Sequence, residues 1–591
     1  MVEIAGPPGV ARARSSPLIV GISGHRDLNP RDIPAVTTAI NGFFDELIRL
    51  APDTQIRIVV GMADGADTLV TRLALARNLT VDAVLPMPLA DYAADFGPEA
   101  LAQLQELLQH PSVRCTELPL PPHLGARPAP AVGEQRDALY ANLSEFLMQR
   151  SSLLLALWDG VPSTLRAGTA DTVLRYLQAR THEPNGDQVE FVTDPADAVS
   201  ETQFVYWIPV TRGDAQNGGP TQRPCYLSSI GENLVQCHEQ MPQELQHQLT
   251  ELDHYNSAFE RVSVRASAPT ASLISDLSIE LPATERRALA QIDLEYGRAD
   301  TLAVHYQRRS DRLFHFSSYA AALIGLLFLT YAELLQSSYL LAGYLLVLLS
   351  SIGVFYLYSG RHWFSRHLVC RVLAETLRSK YFLRLAGADH LVNVTDLINL
   401  TGINRFSGFT WITNVLRSVD DPECMGLRQS PSERKLAFVH EAWIVGQDTY
   451  FHSKVRRLER SYQRLELMQL LLVCTMVVVA LVLVLFSHAL ESARDRMGIE
   501  LHHWLVFLMG LLPFWLGIWE LYQYKMATRE LLWQYRNQRM HFARARLQLS
   551  RADGWTRRLE ILAELGRESL MESYLWMIHR YHREHEPPAA G

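Results

Sequence analysis

The spacing of apolar residues changes character along the chain. From Leu18 to about Val210, short, largely apolar runs alternate with longer amphipathic stretches. Leu18–Ile22, Ile56–Val60, Asp82–Leu85, Leu153–Trp158 and Phe204–Ile208 are bounded by turn formers, as strands buried on both faces are. Between them Ala35–Leu50, Asp67–Arg77, Pro98–Leu108, Glu134–Arg150 and Ala170–Gln178 carry the helical period. Five strands with intervening helices predict a parallel, doubly wound α/β sheet over 18–215. Residues 1–17, rich in Gly, Pro and Arg, predict a disordered N-terminus without the apolar core of a signal peptide. Thr181–Pro220 reads as loop apart from its strand.

Residues 216–312 turn charged and helical, and Ala283–Arg312 runs directly into an apolar segment. Four such segments follow: Phe314–Ala332, Tyr339–Tyr358, Leu467–Phe486 and Leu501–Trp519, the last containing Pro513. At about 1.5 Å per residue, each reaches across a hydrocarbon layer of roughly 30 Å. The pattern predicts an all-α transmembrane module of two hairpins, 313–360 and 466–524. Between them lies a cytoplasmic helical region, 361–465, and after them C-terminal helices, 525–591. Ser430-Pro431-Ser432-Glu433 reads as an N-cap, a Pro at the first helical position and a capping Glu.

The flanks set the orientation. Arg308, Arg309 and Arg312 precede the first span, and Arg361, Arg366 and Arg371 follow the second. Lys454, Arg456, Arg457, Arg460 and Arg464 precede the third, and Lys525 and Arg529 follow the fourth. The short hairpin Glu333–Ser338 has neither Lys nor Arg, and Arg494 and Arg496 in the second are diluted by acids. By the positive-inside bias both termini face the cytoplasm of an inner (plasma) membrane.

Charge narrows the partners. Lys and Arg total 55 against 63 Asp and Glu, a net charge of −8, which argues against a nucleic-acid surface. Six cysteines show no CxxC pair and no zinc spacing with histidine, so reduced thiols and no metal site are expected. The spans hold almost no ionisable groups, against ion-coupled transport. Ser317, Ser318, Thr330, Ser351 and Thr475 remain as candidates to line a pore.

The chemistry gathers at the predicted strand ends, where open α/β sheets bind ligands. The first strand ends Gly21-Ile22-Ser23-Gly24-His25-Arg26-Asp27: glycines that admit close approach, a hydroxyl donor in Ser23 and a guanidinium fork suited to phosphate in Arg26. The second ends Gly61-Met62-Ala63-Asp64-Gly65-Ala66-Asp67 and feeds a helix, whose N-terminus attracts anions. The fourth predicted strand ends Trp158-Asp159-Gly160, and Gly168-Thr169-Ala170-Asp171 opens the next helix. The ligand-binding candidates are therefore Ser23, Gly24, His25, Arg26, Gly61, Asp64, Gly65, Asp67, Asp159, Gly160, Gly168 and Thr169. Asp64 and Asp67 suit ribose hydroxyls or base amines better than phosphate.

Those turns, with Leu85-Pro86-Met87-Pro88, resemble the SLOG superfamily, the Rossmann-like group that includes DNA-processing proteins and the cytokinin-activating LOG enzymes. The resemblance spans about residues 17–210 and implies a nucleotide or nucleotide-derived ligand at those loops. The hairpins with trailing helices resemble, in layout, the SLATT-type membrane modules that accompany SLOG domains in bacterial antiphage systems. The resemblance implies a homo-oligomeric effector whose cytoplasmic domain senses a nucleotide signal and gates or assembles a transmembrane pore. A membrane-tethered N-glycosidic hydrolase and a structural or transport protein are the alternatives. Against hydrolysis, the LOG pattern Pro-Gly-Gly-x-Gly-Thr-x-x-Glu, aligned on Gly168-Thr169, puts Thr172 where the Glu stands. Thr164, Leu165 and Arg166 then replace Pro-Gly-Gly, and Asp171 is one position off, about 100° away on a helix. No catalytic residue is assigned.

Overall fold

Leu153–Trp158 is buried at every position, as a strand must be when helices cover both its faces. In the computed structural model it lies near the middle of a nine-stranded mixed sheet. The structure describes residues 15–119, 133–163, 167–177, 191–192, 203–213, 222–230, 234–265, 272–392, 394, 397–398, 408–420, 432–486, 490, 500–526 and 528–583.

The strands are β1 (Leu18–Gly24), β2 (Ile56–Val60), β3 (Thr80–Leu85), β4 (Val113–Glu117), β5 (Leu153–Trp158), β6 (Phe191–Val192), β7 (Val205–Pro209), β8 (Cys225–Ile230) and β9 (Leu234–His238). Their order is β4-β3-β2-β1-β5-β7-β8-β9-β6. The six from β4 to β7 run parallel, with Leu18 opposite Ile56 and Gly24 opposite Leu157. The chain therefore builds outward from β1 to β4, then returns to place β5 on the other side of β1.

Helices cover both faces, following the two-residue period of the strands. Helix α1 (Ile33–Leu50) stacks Phe43 on Tyr206 at 4.6 Å. Helix α4 (Glu134–Arg150), which follows α2 (Ala66–Ala76) and α3 (Pro98–Leu108), buries Leu143, Phe146 and Leu147 with Ile19, Val59 and Val84 on the opposite face. Helix α5 (Thr169–Tyr176) adds Val173 and Leu174 to a core with Leu154, Trp158 and Trp207.

The sheet departs from expectation beyond β7. The charged helical stretch predicted from residue 221 is instead an antiparallel hairpin, β8–β9, and helix begins only with α6 (Gln243–Arg265). Edge strand β4 also escapes the apolar-run criterion, since Arg114 and Glu117 interrupt it. The hairpin overturns the expectation for two of the six thiols. Leu227 lies opposite Cys237, so Cys225 and Cys237 fall diagonally on one face and form a disulfide, Cα to Cα 6.0 Å. Cys115, Cys370 and Cys474 form no disulfide among the described residues. Most of Thr181–Pro220 and the second interhelical turn, with Arg494 and Arg496, lie outside the described residues, as do Ser430 and Pro431. Helix α11 (Glu433–Val439) starts with Ser432 in the N-cap position.

Two compact units divide the chain, and neither is continuous in sequence. One comprises Met1–Thr301 and Leu373–Ser430, the other Leu302–Val372 and Pro431–Gly591. The boundaries fall inside α7 (Ala283–Leu329) and α9 (Trp363–Ala386), which flank α8 (Ser338–Ser359). In the first unit α10 (Thr410–Ser418) returns to the sheet. Its Arg417 donates to the Ser151 carbonyl at 2.6 Å, and Trp411 lies 4.8 Å from Tyr255 of α6. At the same, amino end of β1, the Ser16 amide donates to Asn256 at 2.9 Å and its hydroxyl to Glu295 at 2.5 Å. Glu295 is in turn paired with buried Arg298 at 2.6 Å.

The second unit holds four helices long and apolar enough to cross a membrane: the end of α7, α8, the end of α12 (Gly446–Leu485), and α13 (Leu501–Met526). α14 (Thr528–Arg551) and α15 (Trp555–Arg583) follow. Almost nothing in the apolar stretches is covered by protein: Leu346 is 68%, Leu349 65% and Val484 76% exposed. Contact between α7 and α13 is made through glycine. A methyl on Gly325 would fall 1.9 Å from the Phe514 ring, and one on Gly510 would lie 3.0 Å from Leu329. Such close backbone approach is how helices associate in lipid, where burial gives them no drive. Each of the five hydroxyls named as pore-lining candidates donates to the carbonyl four residues back: Ser317 to Leu313, Ser318 to Phe314, Thr330 to Leu326, Ser351 to Val347 and Thr475 to Leu471. That local bond satisfies a hydroxyl in an apolar helix without a water path.

Gly325→Ala is expected to destabilise the detergent-solubilised chain by about 1–3 kcal/mol through overpacking against Phe514. Gly353→Ala, whose methyl meets nothing within 4 Å, should instead gain up to about 1 kcal/mol of helix propensity. Differential scanning fluorimetry of the two variants checks the contrast; equal melting shifts would refute the glycine contact.

Candidate functional site

The reversal of strand order at β1 leaves the carboxyl ends of β1, β2 and β5 side by side, and their loops lock together through main chain. The His25 amide donates to the Leu157 carbonyl at 3.1 Å, and the Ala66 amide to the His25 carbonyl at 3.1 Å. The Asp159 amide lies 3.2 Å from His25 Nε2, and the Asp159 carboxylate 3.1 Å from it; the ring tautomer decides which of the two it serves. A fourth strand end joins them. Asp32 accepts from the Thr211 amide at 2.9 Å, and Arg212 pairs with Asp27 at 3.1 Å, tying the loop after β1 to that after β7.

The glycines of these turns make room for protein. A methyl on Gly24 would stand 2.3 Å from Ala66 Cβ and 3.0 Å from Leu157 Cβ. Gly65 has φ +81°, and a methyl there would meet the Arg26 carbonyl oxygen at 2.1 Å. Gly61 faces Leu143 of α4 at 2.8 Å, with the Asp67 carboxylate beside it at 3.4 Å. Gly160 (φ +79°) turns toward Trp207. Close approach is real at each of these positions, but the approaching group is the chain itself.

A second motif recurs where α2 and α5 begin. Asp67 accepts from the Ala63 amide at 3.0 Å, and Asp171 from the Ala167 amide at 2.9 Å. In each turn a non-glycine residue, Met62 or Ala167, takes the left-handed region, φ +58° and +66°. These first-turn carboxylates thus close the turn that precedes their own helix.

Around Arg26 the structure assembles side chains that sequence spacing does not connect. Its guanidinium lies 5.3 Å from the Tyr140 ring centroid and is hydrogen-bonded to the Tyr140 hydroxyl. The Tyr140 hydroxyl also donates to Asp95, which pairs with Arg136 at 2.5 Å. Tyr92, buried beneath, donates to the Gly61 carbonyl at 3.0 Å. Arg136 and Tyr140 sit one turn apart on α4, a spacing that marks a shared face and was the available signal for this half of the site. Arg26 itself is exposed, and among the described residues no carboxylate lies within ion-pair distance of it. Ser23 is half-buried, and its hydroxyl has no partner among the described residues.

Asp67 is the buried acid of the site. Burial raises its carboxyl to about 7, while the Ala63 amide and the Arg26 charge pull it back down. Burial likewise raises the Tyr140 phenol, with Asp95 adding to the rise and Arg26 opposing it. The rim thus offers a fixed cation and a free hydroxyl above a buried acid that exchanges its proton near neutrality.

The structure therefore joins Gly24, His25, Arg26, Gly65 and Asp159 directly, with Gly61 and Asp67 beneath them. Asp64 is exposed and caps the Gly65 amide at 2.9 Å. Gly168 and Thr169 open α5, linked to α4 through Thr172, whose hydroxyl lies 2.7 Å from that of Ser144 and 3.0 Å from the Gly168 carbonyl. Thr164, Leu165 and Arg166 lie outside the described residues. Among those described, no three His, Cys, Asp or Glu side chains gather as metal ligands. No family model matches the chain, and no curated protein matches it.

Folded Asp67 keeps its proton to about pH 7, whereas an unfolded aspartate releases it near 3.9. The folded state binds the extra proton between those values, so this group's contribution to stability falls as pH rises from about 4 to 7 and is flat above. Asp67→Asn keeps the acceptor for Ala63 and removes the titration. Its melting temperature relative to the parent chain should rise from pH 5 to about pH 7 and level off above; parallel curves would refute a proton on Asp67.

Proposed function

We propose that the chain is a membrane-embedded ligand sensor, in which the sheet unit binds a nucleotide-derived anion and the apolar helices deliver the response. One observation carries the reading. An exposed guanidinium without a carboxylate partner stands where the loops after β1, β2 and β5 interlock, at the point of strand reversal. Ligands of open α/β sheets settle at that place, and an uncompensated Arg fork suits a phosphate. Ser23 adds a donor, and Asp67 an acid or acceptor for a hydroxyl or amine of the same ligand.

The reading keeps the SLOG-like, Rossmann-like resemblance of these turns and the SLATT-like layout of the hairpins. The apolar helices argue for lipid: large contiguous apolar surfaces do not persist in water, and their cationic flanks favour cytoplasmic termini. Binding acts on the helices when the ligand prefers one of two arrangements of the protein. In this reading several copies of the chain assemble their hairpins around the conducting path. Thr172, in the place of the hydrolase glutamate, already serves Gly168 and Ser144, which favours sensing over hydrolysis.

The test is titration calorimetry on the full chain with ATP, NAD and a cyclic dinucleotide as probes. One of them should bind, and Arg26→Gln should weaken it roughly tenfold to a hundredfold, the loss of one charge-assisted contact. Affinity unchanged by Arg26→Gln refutes the site, and rapid consumption of the probe would make the protein an enzyme. In vesicles, dye release that follows addition of the bound probe would establish the response.

A further inference from the structure

The second unit carries another uncompensated cationic cluster, where α8 ends. After Tyr358 the chain turns through Gly360, Arg361 and His362, the last in the left-handed region at φ +45°, and α9 begins at Trp363. The rings of Tyr358 and Trp363 lie 5.2 Å apart. The Arg361 guanidinium stands 5.1 Å from the Tyr358 centroid and 5.8 Å from that of Trp363. From α7, Arg309 reaches the same indole at 5.3 Å.

Two guanidiniums are thus held on one aromatic pair. Among the described residues neither has a carboxylate within ion-pair distance. Asp311, two residues along from Arg309, interacts instead with His315 and Arg580. Cation–π contact orients a guanidinium without cancelling its charge, so both remain available to an anion.

We propose that Arg309, Arg361, Tyr358 and Trp363 form a binding site for the phosphate of an anionic phospholipid. It rests on the membrane reading above. Position selects the lipid over a soluble anion. The cluster starts where the exposed apolar surface of α8 stops, with Tyr356 75% and Leu357 71% exposed in its last turn. That is the depth at which acyl chains give way to headgroups, where Trp, Tyr and Arg concentrate and basic residues meet anionic lipid. The rings hold both guanidiniums in place, Arg361 against Tyr358 and Trp363 and Arg309 against Trp363.

The test compares the full chain with three variants in phosphatidylcholine nanodiscs doped with phosphatidylglycerol, reading by mass spectrometry the lipid that stays bound after detergent release. The parent chain should hold phosphatidylglycerol roughly tenfold or more over phosphatidylcholine, and Arg309→Gln/Arg361→Gln should lose that preference. Arg308→Gln/Arg312→Gln removes two neighbouring charges that make no aromatic contact and should keep it. Trp363→Ala, which retains both charges but frees them, should lose most of it.

Equal loss in the two glutamine pairs would reduce the effect to diffuse surface charge and overturn the proposal. Complete displacement of the lipid by inorganic phosphate would overturn it in favour of a soluble anion. Flotation with vesicles but no headgroup preference overturns this proposal alone, and failure to float with any vesicle overturns the membrane reading and this proposal together. Equal flotation of every variant with pure phosphatidylcholine vesicles confirms that a lost preference is not lost insertion.

Discussion

Everything about the candidate site depends on how closely two backbones approach. At Gly65 the main chain passes against the Arg26 carbonyl with no space for a side chain, and at Gly24 it passes against Ala66. The same crossing lets the Ala66 amide reach His25 and holds Arg26 at the rim. Any side chain at Gly65 would have to accept both a positive φ and a collision with backbone that cannot rotate away. The glycines are therefore the hinge pins of the loops, and the polar groups they leave at the candidate site are those of Arg26, Ser23 and Asp67. A glycine-rich turn is commonly read as space reserved for a ligand; here the space is filled, and what it secures is the placement of a cation.

The apolar helices follow a different rule. Their apolar side chains stay largely exposed, and their mutual contact comes from surface shape: Gly325 receives Phe514, and Gly510 receives Leu329. Most of their hydroxyls bond the carbonyl one turn back, and Gln469 donates to Glu520 of the neighbouring helix at 3.1 Å. The sheet unit does the reverse, excluding water with Trp158, Trp207 and Tyr92 while leaving a charge at its edge.

What the sequence disclosed follows from these two rules. Fully buried strands such as Leu153–Trp158 announce themselves as unbroken apolar runs, and their bounds match closely. Edge strand β4 reads Val-Arg-Cys-Thr-Glu and carries no such run, while β8 and β9 hide Ser228, Ser229 and Gln236 in buried positions, so their polarity disguised them as part of the helical linker. The disulfide was hidden with the hairpin, because a diagonal cross-strand pair has no fixed spacing in sequence. The turns after β1 and β2 were legible as glycine patterns. Tyr92, Asp95, Arg136 and Tyr140 were not, since they come from segments brought beside Arg26 only by the sheet order.

The division of the chain into two discontinuous units has a genetic corollary. The polypeptide leaves the sheet-bearing unit along α7 at Thr301 and re-enters it along α9 at Leu373, so the first apolar hairpin is a parenthesis within that unit's sentence. Nested in this way, it is out of reach of truncation from either terminus. A nonsense codon after it would remove Trp411 and Arg417, which pack back on the sheet. Separating the two units takes an in-frame deletion of residues 302–372 together with removal of residues 431–591, and domain boundaries drawn as consecutive intervals would cut through both.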